Sequence, residues 1–369
     1  MGALLAQAFE RCAMDPARAP SIHGFHTYPA RMHPLAAEVL VRGFSAPGAR
    51  VLDPFCGGGT VLVEALRAGC EVAGTDLSPL AVRLARVRSD PGSEGMRREL
   101  VVVGEAVAAT VRAGDAPRFR IPRREVGWYA PHVLAELSAL RGAIAGVRHG
   151  WVRERLLFVL SSLVVKASRQ RSETVARRVS KTIARGAVTR WFVERTRSLA
   201  GALAELERDL GGRRGAGTVA VADARTADEV VGRRSIDLVL TSPPYGGTYD
   251  YALHHARRGP WLGIDFDRLA RGEIGARRDG ARTDRATFDA QVEAYLRAAA
   301  RTLVPGGRVV LLVGDGRWAG EMIEARAQIE RLGAGAGLAL RAAARQPRRD
   351  PSGGPRRFEW LLVLERDGA

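Results

Sequence analysis

A chain of 369 residues, 46% hydrophobic and 26% charged, has room for one large α/β domain with an insertion, or for two domains, and is too apolar to be disordered. No run reaches the ~20 apolar residues of a membrane helix. The short apolar stretch Ala3–Ala8 lacks the basic residue that opens a signal peptide, and three cysteines without a CxxC pair (Cys12, Cys56, Cys70) argue against a disulfide framework or a cysteine zinc site.

The expected setting is therefore a reducing cytoplasm, with no membrane and no metal. The net charge of +17 points to a polyanionic partner. Against that stands an arginine bias that GC-rich coding alone produces, since only Lys166 and Lys181 are lysines. The distribution is more telling. Residues 151–200 carry twelve Arg and Lys against three acidic residues, a concentration that uniform codon bias does not create.

In chain order, residues 1–48 should hold a short helix, an extended turn around His26-Thr-Tyr-Pro-Ala30 and a helix over Leu35–Phe44. Arg50–Asp53 reads as a short buried strand closed by Pro-Phe-Cys-Gly-Gly-Gly. Thr60–Ala68 has helical spacing. Glu71–Asp76 is a second buried strand, and Ser78-Pro79 opens another helix by the cap-then-proline signal. Strand, glycine loop, helix and strand in this order predict a parallel sheet. From about Ala81 to Gly211 the pattern is mostly helical. A turn-rich stretch (Ser89–Gly95) and a loop (Gly114–Gly127) interrupt it, and helical spacing is clearest at Val133–Ala145, Val152–Ala167 and Trp191–Leu210. Alternation returns with strands at Val219–Ala222, Ile236–Leu240, Arg308–Val313 and Glu359–Leu364, and with a helix over Thr287–Leu303.

The expected fold is thus α/β: a doubly wound, mostly parallel Rossmann-like sheet with an antiparallel C-terminal strand and a helical insertion. Residues 1–88 form the N-terminal segment and cofactor half, 89–215 the basic insertion, and 216–369 the catalytic half. An insertion of ~130 residues is far longer than a normal connection and should have a task of its own.

Asp53-Pro-Phe-Cys-Gly-Gly-Gly-Thr60 lies between a strand and a helix. Glycines let backbone approach a ligand, and a helix N-terminus offers free N–H groups. Such a loop is also a common structural turn. GxGxxG and GxxxxGK[ST] are both absent. Asp53 ahead of the glycines would repel a phosphate and attract an ammonium group. S-adenosylmethionine carries that ammonium together with a sulfonium and adenosine. Asp53 is therefore assigned to its amino-acid end and Asp76 to its ribose. Pro54, Phe55, Gly57, Gly59, Thr60 and Thr241 complete the expected cofactor contacts. Asp223, after the third strand, is either an acceptor for the adenine amine or a helix cap.

Leu240-Thr-Ser-Pro-Pro-Tyr245 is the segment that carries the chemistry. Prolines fix φ and donate no hydrogen bond, so adjoining carbonyls stay free and aimed. An exocyclic base amine is a poor nucleophile because its lone pair is delocalised. Acceptors at Ser242 and Pro243 would pull it toward a tetrahedral, more reactive state, Pro244 holds the turn, and the Tyr245 ring would stack on a flipped base. The alternative is an ordinary strand-ending turn.

Together, Asp-Pro-Phe-Cys-Gly-Gly-Gly-Thr and Thr-Ser-Pro-Pro-Tyr closely resemble the amino-methyltransferases of DNA. The resemblance implies a methyltransferase sheet, S-adenosylmethionine as cofactor and methylation of a base amine in DNA. The Ser-Pro-Pro-Tyr form resembles the cytosine-N4 branch more than the adenine-N6 branch. His26-Thr-Tyr-Pro-Ala-Arg-Met-His-Pro34 is similar to the family segment that closes over the cofactor, which would place Arg31 and His33 near it. Tyr249-Asp-Tyr and Trp261-Leu-Gly match the stretch that follows the catalytic motif. One departure matters: the insertion falls between the second and third strands rather than just before the catalytic strand. Nucleic-acid recognition by Lys166, Arg169, Arg171, Arg177, Arg178, Lys181 and Arg185 is thus an expectation from charge, beside the reading of a solvated helix face. Arg345–Arg357 reads as a mobile, arginine-rich loop. RNA methylation, for instance at guanine N2 of tRNA, is the closest competing function, because Gly246 follows Tyr245 as in those enzymes. An adenine-N6 DNA enzyme and an inactive nucleic-acid-binding module are further alternatives. A separate restriction endonuclease is a conceivable partner in a restriction-modification pair.

Overall fold

The computed structural model describes residues 1–14, 22–29, 31–213, 217–280, 283–348 and 357–366. Its central sheet contains β1 (Arg50–Asp53), β2 (Glu71–Asp76), β3 (Thr218–Val221), β4 (Ile236–Thr241), β5 (Leu303–Gly314), β6 (Leu338–Arg348) and β7 (Arg357–Arg366). Their order is β6-β7-β5-β4-β1-β2-β3. Parallel pairing joins β1 to β2 and β4, β2 to β3, and β4 to β5. β7 runs antiparallel to both β5 and β6, and is the expected reversed C-terminal strand. Strand order reverses between β1 and β4. An open α/β sheet leaves its ligand crevice at such a point, beyond the carboxyl ends of the strands.

Successive strand residues point to opposite faces and supply two cores. Leu238, Leu240, Val310 and Leu312 join the cluster on one face; Val239, Val309, Leu311 and Val313 join the other. The helices are α1 (Gly2–Met14), α2 (Pro34–Phe44), α3 (Thr60–Arg67), α4 (Pro79–Ser89), α5 (Glu94–Ala113), α6 (Pro131–Ala145), α7 (Gly150–Ala167), α8 (Ala187–Leu210), α9 (Arg285–Thr302) and α10 (Ala325–Gly335), besides shorter turns. α1 to α8 share the first core, and α9 and α10 cover the second. Local signals set the helix starts. The Ser78 hydroxyl accepts the Ala81 amide before Pro79 fixes the first turn of α4. Ser93 caps α5 in the same way and so ends the turn-rich stretch.

The chain leaves the sheet after α4 and returns at β3. The intervening helices are not detached: Leu100, Val133, Phe192 and Leu203 belong to the same buried cluster as α2–α4. Two elements differ from the sequence reading. The basic run after α7 is not helical. Gln170–Ser172 and Val175–Arg178 form an antiparallel hairpin about a Glu-Thr turn. The arginine-rich stretch read as a loop is in part a strand. Arg345 to Arg348 continue β6, pairing Arg345 with Trp360 and Arg348 with Arg357. Leu-Ala-Leu-Arg-Ala-Ala-Ala-Arg shows no clear alternation, because β6 is an edge strand whose pairing comes from the apolar β7 and whose Pro347 an edge tolerates. Residues 349–356 of that expected loop, and Ala30 of the N-terminal turn, lie outside the described residues.

Candidate active site

The carboxyl ends of β1, β2 and β4 are tied together by the side chains the motifs supply. Asp53, at the end of β1, accepts the Phe55 amide at 3.1 Å and the Thr241 hydroxyl at 2.5 Å. Asp76, at the end of β2, accepts the Gly57 amide at 2.9 Å and the Ser78 amide at 2.8 Å. Thr241 itself is fully buried at the end of β4. It positions Asp53 rather than facing the crevice. Gly57 and Gly59 both have positive φ, +48° and +80°, so the turn requires glycine. Gly59 also lets α3 approach α4, since a Cβ there would meet the Ala85 backbone at 2.9 Å.

Above this turn lies a cleft. Among the expected cofactor residues, Asp53, Pro54, Phe55, Gly57, Thr60, Asp76 and Asp223 line it. Asp53 is only 4% exposed. Burial pushes its carboxyl up to about 7, against the pull of the Thr241 and Phe55 hydrogen bonds. Burial likewise raises Asp76 to about 6, against the Ser78 and Gly57 amides. Two desolvated carboxylates facing one cleft call for a cation or for hydroxyl donors. The ammonium and ribose diol of S-adenosylmethionine match that demand.

Asp223 lines the cleft and is also a cap. It accepts the Arg225 amide and, on both oxygens, the Arg225 guanidinium. Burial alone would raise its carboxyl, but the Arg225 hydrogen bonds and charge together outweigh burial and hold it below the usual value. His33 caps α2 by accepting the Leu35 amide, and does not line the cleft; Arg31 does.

Four further site residues lie outside those the motifs predict. Tyr28 and Tyr251 form stacked walls of the cleft, their ring centroids 6.0 Å apart. Glu273 lines it too, accepting the Tyr251 amide and pairing with Arg278. Arg88 is fully buried and donates to the carbonyls of Gly58, His23 and His26. It thereby clamps the N-terminal segment onto the glycine loop. A signal for it exists in the sequence: Arg88 follows Leu80, Ala81, Leu84 and Ala85 at three- and four-residue spacing, on the buried face of α4.

Ser242 and Pro244 open onto the cleft of Asp53 and Asp76. Pro243, Pro244 and Tyr245 also line a small neighbouring pocket, walled by Phe288, Val313 and Gln328. The Tyr245 hydroxyl donates to Glu359 Oε1 at 3.0 Å. Its ring lies so close to Gly314 that a Cβ there would come within 2.6 Å.

The expected nucleic-acid residues gather around the end of α7 and the hairpin. Lys166, Arg169, Arg171, Arg177, Arg178 and Arg185 are exposed, and Lys181 is half-buried. Lys166 lies over the Trp191 ring at 4.3 Å, and Arg178 over Trp128 at 4.6 Å. Lys166, Arg171 and Lys181 line one groove with Arg195. Arg258 pairs with Glu173 at 2.6 Å, and Arg257 packs on Trp128 at 3.8 Å. These contacts fasten the hairpin to the segment that follows Ser242-Pro243-Pro244-Tyr245. Among the described residues no group of His, Cys, Asp or Glu is placed to hold a metal ion, and no helix is long and apolar enough to cross a membrane.

The strand order is that of an open α/β sheet, with the acidic glycine turn at its switch point. Residues 11–87 match the family model described as DNA methylase. That segment is similar to the DNA methylases; the match covers about a fifth of the chain. Over 72 residues, 19% of its length, it is 42% identical to the type II methyltransferase M.MvaI of Kocuria varians, of which this covers 16%. Over 71 residues it is 32% identical to M.MjaII of Methanocaldococcus jannaschii, covering 19% of this chain and 13% of that protein. A 58-residue stretch, 16% of this chain, is also 43% identical to the ubiquinone biosynthesis O-methyltransferase of Xanthomonas campestris, covering 24% of it. The chain thus spans under a quarter of each relative.

Proposed function

We propose that this protein methylates the exocyclic amine of a DNA base, cytosine N4, using S-adenosylmethionine, and does so in the cytoplasm. The observation that carries the reading is the position of Ser242-Pro243-Pro244-Tyr245. The motif follows β4 directly and borders both the cleft of Asp53 and Asp76 and a second cavity beside it.

When bound, S-adenosylmethionine supplies an electrophilic methyl group on its sulfonium. The chain's own residues do the rest. Asp53 and Asp76 hold the cofactor's cationic and hydroxyl groups, and Thr241 fixes Asp53. Ser242 and the Pro243 carbonyl accept hydrogen bonds from the target amine and favour its pyramidal form. The proton leaves only after transfer, from the methylated and positively charged nitrogen, so no strong base is required beforehand. Tyr245, backed by Gly314 and anchored on Glu359, offers its ring to a base taken out of the stack. A separate cognate endonuclease is the partner such a modification enzyme would serve.

Residues 89–215 serve in this reading as the nucleic-acid recognition unit. Charge reversal at the exposed Arg177 and Arg178 should weaken DNA binding and lower the slope of log affinity against log salt by roughly one to two. Unchanged affinity and slope would remove the hairpin from the interface.

Transfer of radiolabelled methyl groups to unmethylated duplex DNA and to bulk tRNA tests the substrate. Incorporation into DNA is the expected result. Incorporation into tRNA alone would make this an RNA enzyme.

A further inference from the structure

At the end of β6, Arg348 turns toward the catalytic loop. Its guanidinium carbon lies 5.2 Å from the Tyr245 ring centroid. A Cβ on Gly314, which backs Tyr245, would sit 3.2 Å from Arg348 Nη1. That nitrogen is buried and makes no hydrogen bond among the described residues. The carboxylate of this neighbourhood is already occupied. Glu359 takes the Tyr245 hydroxyl on Oε1 and the Gln346 amide, at 2.9 Å, on Oε2. A guanidinium has five donors in a fixed fork suited to anionic oxygens. A buried cationic nitrogen without an acceptor is costly and calls for an external partner.

We propose that Arg348 binds the phosphate of the target nucleotide and so positions the extruded base against Tyr245 and Ser242. The inference rests on the DNA-methyltransferase reading above. Glu359 and Gln346 serve it indirectly: Glu359 accepts the Tyr245 hydroxyl and the Gln346 amide, two neutral donors, which leaves the arginine for the substrate. Arg348 is a positioning residue and takes no part in the methyl transfer itself.

The test compares wild-type protein with Arg348→Gln and Arg348→Lys on unmethylated genomic DNA, measuring kcat/KM across a range of salt concentrations. Arg348→Gln should raise KM for DNA at least ~10-fold with a smaller change in kcat. It should also lower the slope of log kcat/KM against log salt by about 0.9, the value of one lost phosphate contact on duplex DNA. Arg348→Lys should keep the slope and recover part of the KM, because the charge remains while the fork is lost. S-adenosylmethionine affinity should match wild type in both variants, and the thermal midpoint should not fall below it. An unchanged slope with reduced activity would mean a contact to the base edge and would overturn the phosphate assignment. Unchanged KM and slope would overturn the whole inference. Wild-type protein that binds S-adenosylmethionine yet transfers no methyl group to DNA would instead sink the reading on which it rests.

Discussion

Replacing Asp53 by Asn should weaken S-adenosylmethionine binding roughly 10- to 100-fold, the loss expected when a buried charge-assisted hydrogen bond goes. The substitution keeps the shape and leaves an oxygen for the Thr241 hydroxyl, so the fold should survive. A pH dependence accompanies the prediction. In the free protein Asp53 titrates near 7 because burial disfavours its charged form. A cationic group binds the carboxylate, not the acid. Cofactor affinity should therefore fall as the pH drops through 7, by up to tenfold per unit, and fall again on the alkaline side where the cofactor's own ammonium loses its proton, at about 8. Binding at pH 6 should release a proton; binding at pH 8.5 should not. The sign for stability is opposite. A carboxyl raised in the folded state holds its proton longer than in the unfolded chain, so its contribution to stability falls as pH rises from about 4 toward 7. The cofactor-free protein should lose part of its thermal stability over that range, and Asp53→Asn should flatten the loss. Titration calorimetry from pH 6 to 8.5 reads both the affinity and the proton release. Wild-type affinity independent of pH, or an Asp53→Asn variant that binds as tightly as wild type, would detach Asp53 from the cofactor.

The second large effect concerns Tyr245. Its ring forms part of the wall of the pocket beside Pro243 and Pro244, and its hydroxyl is held by Glu359. Tyr245→Ala should leave cofactor binding intact and lower methyl transfer by roughly 10- to 100-fold, since stacking a base on an aromatic ring contributes ~1–3 kcal/mol. Tyr245→Phe removes only the anchor and should cost less. Single-turnover methylation with cofactor in excess separates the two variants. Full activity in Tyr245→Ala would refute the stacking role. A loss in Tyr245→Phe as large as in Tyr245→Ala would shift that role to the Glu359 network.

The cofactor half was legible because its signals are local. Asp53 and Asp76 end buried strands, the glycines sit where positive φ is required, and Ser78-Pro79 marks a helix start. What sequence reading missed was made by distant pairing. β6 has little strand character of its own and exists because β7 pairs with it. Tyr251 and Glu273 lie outside the two motifs and reach the cleft only through the packing of the segment after the catalytic loop. Thr241 adjoins the catalytic motif, yet its role toward Asp53 spans 188 positions of sequence. The hairpin at 170–178 was hidden within a helical stretch because four residues of Val-Ala-Arg-Arg set no period. His33, expected near the site by resemblance, also accepts the Leu35 amide at the start of α2.

Mass spectrometry of nucleosides from DNA methylated by the purified protein tests the central claim most directly. The account predicts N4-methylcytosine. N6-methyladenine would keep the reaction and correct the base, whereas DNA bearing no methylated base after incubation with cofactor-loaded protein would contradict it.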